Sequence, residues 1–247
     1  MSEIVVSTFE EFLTACATSG AEVVCPESAV WDMNQIAPAG APTVTVACAK
    51  IIGNGTTIAN ASIISRPLFY FNNVATVTVT KLNIADFTAD KPVITGTSGM
   101  IWKQSDFSGV QNAGAMVASS LTFCEDETAE TPLGCGFTVH LAGGTFFQQS
   151  MGNSLYLNNC KARFTGAGKL DPASGSYSNY LQLRYCFLEG DFTQISLNYY
   201  CEMSIITSPA KRGVYAGAGA QWVDCTEEQL QDAEYLRSIG FYAGSAT

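Results

Sequence analysis

Short segments that alternate between apolar and polar residues recur along the middle of the chain. Val77–Thr80 and residues 181–184 each place aliphatic side chains on one face and polar side chains on the other, which is typical of a half-buried strand. Residues 154–160 and 179–186 resemble each other and both end in cysteine, and residues 194–201 echo them with a shift of one residue. Repeated strand units of this kind stack as the rungs of a solenoid.

An Asp-Phe pair recurs in three places, at residues 86–88, 106–108 and 191–193. The first two copies are 20 residues apart, which predicts rungs of about that length with like side chains stacked in ladders. In that register Asp86 and Asp106 stack one rung apart, at a separation of about 5 Å.

Helix signals are confined to the two ends of the chain. Residues 8–11 form a capping box before an apolar stripe that predicts a helix ending at Gly20, and residues 226–229 form a second one before a short helix ending near Gly240. Helices at both ends suit a solenoid, because its terminal strand edges need covers.

The sequence therefore predicts an all-β protein, a parallel β-helix (solenoid) with short N- and C-terminal capping helices. We expect one domain over residues 1–247, with an N-terminal cap at 1–22, rungs at 23–221 and a C-terminal cap and tail at 222–247. A β-sandwich is the alternative, because it also contains many short strands.

Composition excludes several classes of function. The formal net charge is −10 and the pI about 4.5, so nucleic-acid binding is not expected. No run of about 18 apolar residues predicts a membrane span, and residues 1–20 show no secretory signal. The nine cysteines form no C-x-x-C pair and the chain has one histidine, which favours reduced, buried thiols over a zinc site.

The first 56 residues resemble a known architecture. A helix at 7–20 is followed by strand-like segments and by the turn Gly53-Asn54-Gly55. This arrangement resembles the beginning of right-handed parallel β-helices of the pectate-lyase-like superfamily, and it implies a right-handed coil whose N-terminal helix plugs one end. The ending, residues 222–241, is similar to the tails of small β-helix proteins from phage and prophage regions.

Enzymes of that superfamily use residue sets that do not appear here as motifs. A Ca²⁺-dependent lyase needs clustered carboxylates with a basic residue, and a hydrolase of the polygalacturonase type needs clustered aspartates and a Gly-His-Gly element. Asp86, Asp106, Glu189 and Asp191 could meet in a lateral groove as catalytic carboxylates, but a role in turns is favoured. His140 lies in an apolar, strand-like context that favours a structural role.

One local run of acidic residues lies between Cys124 and Cys135. A cation could bind there, but the run lacks the D-x-D-x-D-G spacing of a calcium loop, so a solvated loop between rungs is favoured and no cofactor is expected. The candidate ligands are Glu125, Asp126, Glu127 and Glu130.

The lightly charged composition, the capped ends and the missing catalytic sets favour a non-enzymatic structural protein. The resemblance to phage and prophage tails implies a location in the virion, as a capsid decoration, fibre or tail component. Its expected partners are other virion proteins, two further copies of itself in a homotrimer, and a host-surface glycan. No membrane insertion is expected. The alternative is a carbohydrate-active, tailspike-like depolymerase, either a polysaccharide lyase or a glycoside hydrolase.

Overall fold

A computed structural model of the chain gives the fold. It describes residues 2–63, 66–71, 75–89, 92–96, 99–112, 115–118, 121–124, 135–141, 145–147, 154–158, 160–165, 180–184, 186–189, 199–202, 205–206, 226, 228–229 and 232–238.

The described strands form three sheets, which we call A, B and C. Sheet A contains β1 (Glu3–Val5), β2 (Glu22–Val24), β5 (Lys50–Ile52), β9 (Val77–Thr80), β13 (Met100–Lys103), β16 (Leu121–Cys124), β19 (Ser154–Asn158), β21 (Tyr180–Arg184) and β23 (Tyr199–Glu202). Sheet B contains β3 (Val30–Asp32), β6 (Thr57–Ala59), β7 (Ser62–Ile63), β10 (Asn83–Ala85), β11 (Thr88–Ala89), β14 (Asp106–Asn112), β17 (Gly136–Leu141), β20 (Lys161–Thr165), β22 (Phe187–Glu189) and β24 (Ile205–Ile206). Sheet C contains β4 (Val44–Val46), β8 (Phe69–Phe71), β12 (Ile94–Gly96), β15 (Ala115–Ala118) and β18 (Thr145–Phe147).

The chain visits these sheets in a repeating order. From β2 to β19 it passes from sheet A to sheet B, then to sheet C and back to sheet A, where it pairs with the strand of the preceding turn; from β19 onward the described strands alternate between sheets A and B. Every strand pair in the described part of the chain is parallel. The protein is therefore a parallel β-solenoid, which confirms the predicted fold class over a β-sandwich. The right-handed sense of the coil stays a prediction.

The interior of the coil is filled by aliphatic and aromatic side chains. Phe107 lies at the centre of an aromatic cluster, with ring centroids 4.9 Å from Trp102, 5.6 Å from Phe123 and 5.2 Å from Phe137. Trp102 also packs edge-on against Phe69, at 5.5 Å. Each strand sends alternate side chains inward, so successive rungs stack their apolar residues on one another.

The helix α1 (Phe9–Cys16) covers the N-terminal end of the coil. Thr8 caps it, and its hydroxyl accepts a hydrogen bond from the Glu11 amide while the Glu11 carboxylate accepts one from the Thr8 amide, which confirms the predicted capping box. The rings of Phe9 and Phe12 pack on Trp31, at 5.6 and 5.1 Å. The helix ends at Cys16 rather than at the predicted Gly20, with Ala17 as its C-cap.

Two further helices are described. A one-turn helix, α2 (Met33–Ile36), follows β3 and was not predicted; Asp32 caps it through the Asn34 amide. Near the C-terminus, Thr226 and Gln229 make both contacts of the second capping box. The helix α3 (Ala233–Ser238) is capped separately by Asp232, whose carboxylate accepts hydrogen bonds from the amides of Glu234 and Tyr235.

The strand similarities predicted the register in part. Leu155 pairs with Leu181 and Leu157 with Leu183, which confirms the match between the two segments that end in cysteine. The third segment does not follow, because Cys201 pairs with Leu183 rather than stacking on Cys186.

Candidate functional site

Two of the candidate carboxylates are exposed along sheet B. On β14 Phe107 is buried and Asp106 is exposed, on β17 Val139 is buried and Thr138 is exposed, and Arg163 is exposed on β20. Neighbouring parallel strands align these outer side chains in columns along the coil, so residues distant in sequence lie side by side.

Asp86 and Asp106 lie in different columns of that sheet. Ile84 pairs with Phe107, so Asp106 stacks on Asn83 and not on Asp86. The stacked aspartate pair expected from the 20-residue spacing is therefore wrong. The offset is three residues, or about 10 Å along a strand at the usual rise of about 3.3 Å, which exceeds the separation of about 5 Å used by retaining glycosidases.

The backbone conformation accounts for the aspartate at position 86. Asn60, Asp86 and Gly109 follow one another in adjacent rungs, and all three have positive φ, of 57°, 54° and 63°. Asn, Asp and Gly are the residues that tolerate this left-handed conformation best. Asp86 also lies so close to Gly109 that a Cβ there would overlap the carboxylate. Position 86 therefore has a structural requirement that Asp meets, as the favoured turn role predicts.

Asp106 is also tied to a neighbouring rung. Its amide donates to Asn83 Oδ1 at 3.0 Å, and the Asn83 side-chain amide donates to the Gly55 carbonyl at 3.4 Å. On the other side, a Cβ at Gly136 would overlap Asp106 Oδ1. Asn83 thus bridges three rungs and positions the start of β14.

A second polar contact lies at the beginning of sheet B. Asp32 Oδ1 accepts from the Asn34 amide and from Asn60 Nδ2, both at 3.0 Å, while Oδ2 accepts from Gln35 Nε2 at 3.1 Å. This carboxylate joins α2 to the next rung. Sequence reasoning missed it, because Asn60 lies 28 residues away and no motif marks the pair.

His140 lies on β17, an interior strand of the same sheet. It is half-buried, pairs in register with Gln111 and Thr165, and its Nδ1 lies 3.1 Å from Thr165 Oγ1. This cross-strand contact is consistent with the expected structural role. The structure does not bring His140 into contact with Asp86 or Asp106 in any described hydrogen bond.

Buried thiols line the inner corner between sheets A and B. The Cys160 thiol contacts those of Cys135 and Cys186, and burial, with these neighbours, raises the pKa of Cys160 well above its ordinary value. Each of the three thiols donates to a backbone carbonyl of an earlier rung, at 3.5, 3.5 and 3.0 Å: Trp102, Phe123 and Leu157. All six cysteines whose side chains are described are buried thiols.

The other candidates lie beyond what the structure describes in full. Asp191 is outside the described residues, as are the four acidic candidates for a cation site, Glu125, Asp126, Glu127 and Glu130. The backbone of Glu189 lies in β22, paired with Arg163, and its side chain is not described. Their proposed roles stay predictions.

Among the described residues, no three histidine, cysteine, aspartate or glutamate side chains are grouped so that they could hold a metal ion. Over the same residues, no helix has both the length and the apolar character needed to span a bilayer.

Comparison with known proteins gives no family assignment. No protein-family model matches the chain, and no curated protein matches it either. The class of the protein, a parallel β-solenoid, is therefore defined by its own strand pairing.

Proposed function

We propose that the chain is a non-enzymatic structural protein of a virus particle, a β-solenoid displayed as a capsid decoration, fibre or tail component. Its partners are other virion proteins and two further copies of the chain. Host-surface glycan binding is compatible with this role.

The observation that carries the proposal is the use of polar side chains to bond one rung to the next. Asn54 Nδ2 donates to the Cys25 carbonyl at 2.9 Å, and Thr43 Oγ1 donates to the Pro67 carbonyl at 2.8 Å. Thr56, fully buried, donates to the Pro26 carbonyl at 2.6 Å. Side chains engaged in this way stabilise the coil, which suits a protein whose task is mechanical.

The location in a virus particle is supported by the resemblance to known proteins. The N-terminal helix and the turn at Gly53 resemble those of β-helices, and residues 222–241 are similar to tails of phage and prophage proteins. A coil in which each rung bonds to its neighbours has few weakly held segments for a protease to open. That property suits a component exposed outside a cell.

A specific observation favours the alternative, a carbohydrate-active depolymerase. Asp86, Asp106 and Arg163 are exposed along sheet B, and His140 is partly exposed on β17 of the same sheet. Lateral faces of a solenoid offer an extended surface to a polymer.

A depolymerisation assay separates the two functions. Purified protein is incubated with a panel of bacterial capsular and lipopolysaccharide O-chain glycans, and new reducing ends and unsaturated products are measured. We expect no cleavage above that of the double variant Asp86→Asn, Asp106→Asn. Turnover by the wild type that the double variant lacks would establish the depolymerase, and turnover by both would place a catalytic site elsewhere on the chain.

A further inference from the structure

Three cysteines meet beneath the N-terminal cap. Cys16 is the last residue of α1, Cys25 follows β2, and Cys48 lies between β4 and β5. Cys16 and Cys48 are fully buried, and Cys25 is 2% exposed. The group joins the cap helix to the first rungs of the coil.

The backbones of Cys16 and Cys48 are in direct contact. The Cys16 carbonyl accepts from the Cys48 amide at 3.0 Å and from the Ala47 amide at 2.8 Å. The two thiols are also near enough to influence each other's pKa. A disulfide needs the two Cα atoms within about 6.8 Å of each other, and a direct hydrogen bond between the two backbones keeps Cys16 and Cys48 close.

The two sulfurs differ in acidity. The Cys16 thiol and the amides of Cys48 and Lys50 donate to the Cys48 sulfur and hold the pKa of Cys48 below its ordinary value. Burial raises the pKa of Cys16. Cys48 is therefore the nucleophile of the pair, and Cys16 supplies the second sulfur.

We propose that Cys16 and Cys48 are an oxidation site, at which a hydroperoxide converts the two thiols into a disulfide that staples α1 to the coil. The corner thiols make a poorer site, because Cys135, Cys160 and Cys186 each donate to a backbone carbonyl. Oxidation would strengthen the cap once the protein leaves a reducing compartment.

Hydrogen peroxide is the oxidant in the formation of this disulfide. The Cys48 thiolate attacks one peroxide oxygen, the O–O bond breaks, and the products are a sulfenic acid on Cys48 and a hydroxide ion that takes up the proton lost by Cys48 to give water. The Cys16 sulfur then displaces the sulfenic oxygen, which leaves as a second water with the Cys16 proton. Local opening of α1 admits the small oxidant.

Peptide mapping identifies the bond directly. The protein is treated with hydrogen peroxide, blocked with iodoacetamide, and digested under non-reducing conditions with trypsin and a protease that cleaves after glutamate. Cleavage after Glu11, Glu22, Glu27 and Lys50 places each of the three cysteines on its own peptide. We expect residues 12–22 to be linked to residues 28–50. A link from residues 23–27 to either peptide, a link among the corner thiols alone, or no link at all would overturn the proposal.

Thermal unfolding tests the consequence. Oxidation should raise Tm by about 5–10 °C, because the bond closes a long loop of the unfolded chain. Cys16→Ala and Cys48→Ala should each abolish the rise, and the matched control Cys160→Ala should keep it. An unchanged Tm in oxidised wild-type protein, or a rise that survives in both Cys16→Ala and Cys48→Ala, would contradict the staple.

Discussion

At the scale of the residue, Phe107 is a fully buried ring that packs between neighbouring rungs of sheet B. The Asp-Phe repeat predicts that Phe107 stacks on Phe87. In the structure Phe107 pairs with Ile84 below and Phe137 above. Phe87 follows Asp86 in the adjoining turn, and it is buried without being paired with Phe107. Two identical dipeptides therefore occupy different positions of the rung.

The central position of Phe107 gives a prediction for stability. Phe107→Ala should lower the free energy of unfolding by about 3–5 kcal/mol, because it removes a fully buried ring from contact with three aromatic neighbours. Thr138→Ala, an exposed change on a strand of the same sheet, should cost less than about 0.5 kcal/mol. Urea denaturation followed by tryptophan fluorescence measures both. Equal losses of stability in the two variants would contradict the assignment of Phe107 to the interior of the coil.

The buried Cys25 thiol should make the free energy of unfolding fall at alkaline pH. Burial, with the nearby Cys48 charge, raises the pKa of Cys25 from 9.0 to about 12. The unfolded thiol ionises first as the pH rises, so the stabilisation is fully present below pH 9 and is lost between pH 9 and 12, with a slope of up to about 1.4 kcal/mol per pH unit. Urea midpoints between about pH 8 and about pH 11 should therefore fall less steeply in Cys25→Ala than in the wild type. Parallel curves would refute this.

At the scale of the element, local signals could be predicted and long-range ones could not. The capping box of α1 depends on Thr8 and Glu11, three positions apart, and the sequence alone predicts it. The contact between Asp32 and Asn60 spans a whole rung. Nothing local distinguishes that pair from other polar residues, so the sequence could not predict which side chains the coil brings together.

The predicted register was wrong where the rung length varies. From Val77 to its partner Met100 the chain advances 23 residues, and from Leu121 to Leu155 it advances 34. A fixed period of about 20 residues therefore misaligns most rungs. Where two strands share a longer pattern, as at Leu155 and Leu181, the register was predicted correctly.

The turn from sheet A to sheet B gives a prediction for packing between rungs. A Cβ at Gly53 would overlap backbone atoms of Lys81 and Leu82 in the next rung. Gly53→Ala should therefore cost about 1–3 kcal/mol through forced backbone shifts. In Gly99→Ala the nearest atom is the side-chain oxygen of Thr76, at 3.3 Å, so that variant should cost less. The difference in urea midpoint between the two variants tests how closely the rungs approach each other at Gly53. Equal midpoints would contradict that close approach.

At the scale of the whole molecule, the proposed homotrimer is open to direct measurement. Light scattering of the purified chain at neutral pH should give three times the 26.3 kDa chain mass. Solenoids that assemble side by side bury lateral surface and gain a closed symmetry. A mass of a single chain across the concentration range would contradict the trimer and would leave a decoration that binds its lattice one copy at a time.

The central functional claim is that this coil is built into a virus particle. The most direct measurement is quantitative mass spectrometry of particles purified by density gradient from an infected or prophage-induced culture that expresses the chain. We expect peptides of this protein in the particle band, in constant ratio to a capsid protein across the gradient and after a salt wash. Peptides found in the soluble lysate alone, with none in intact particles, would contradict it.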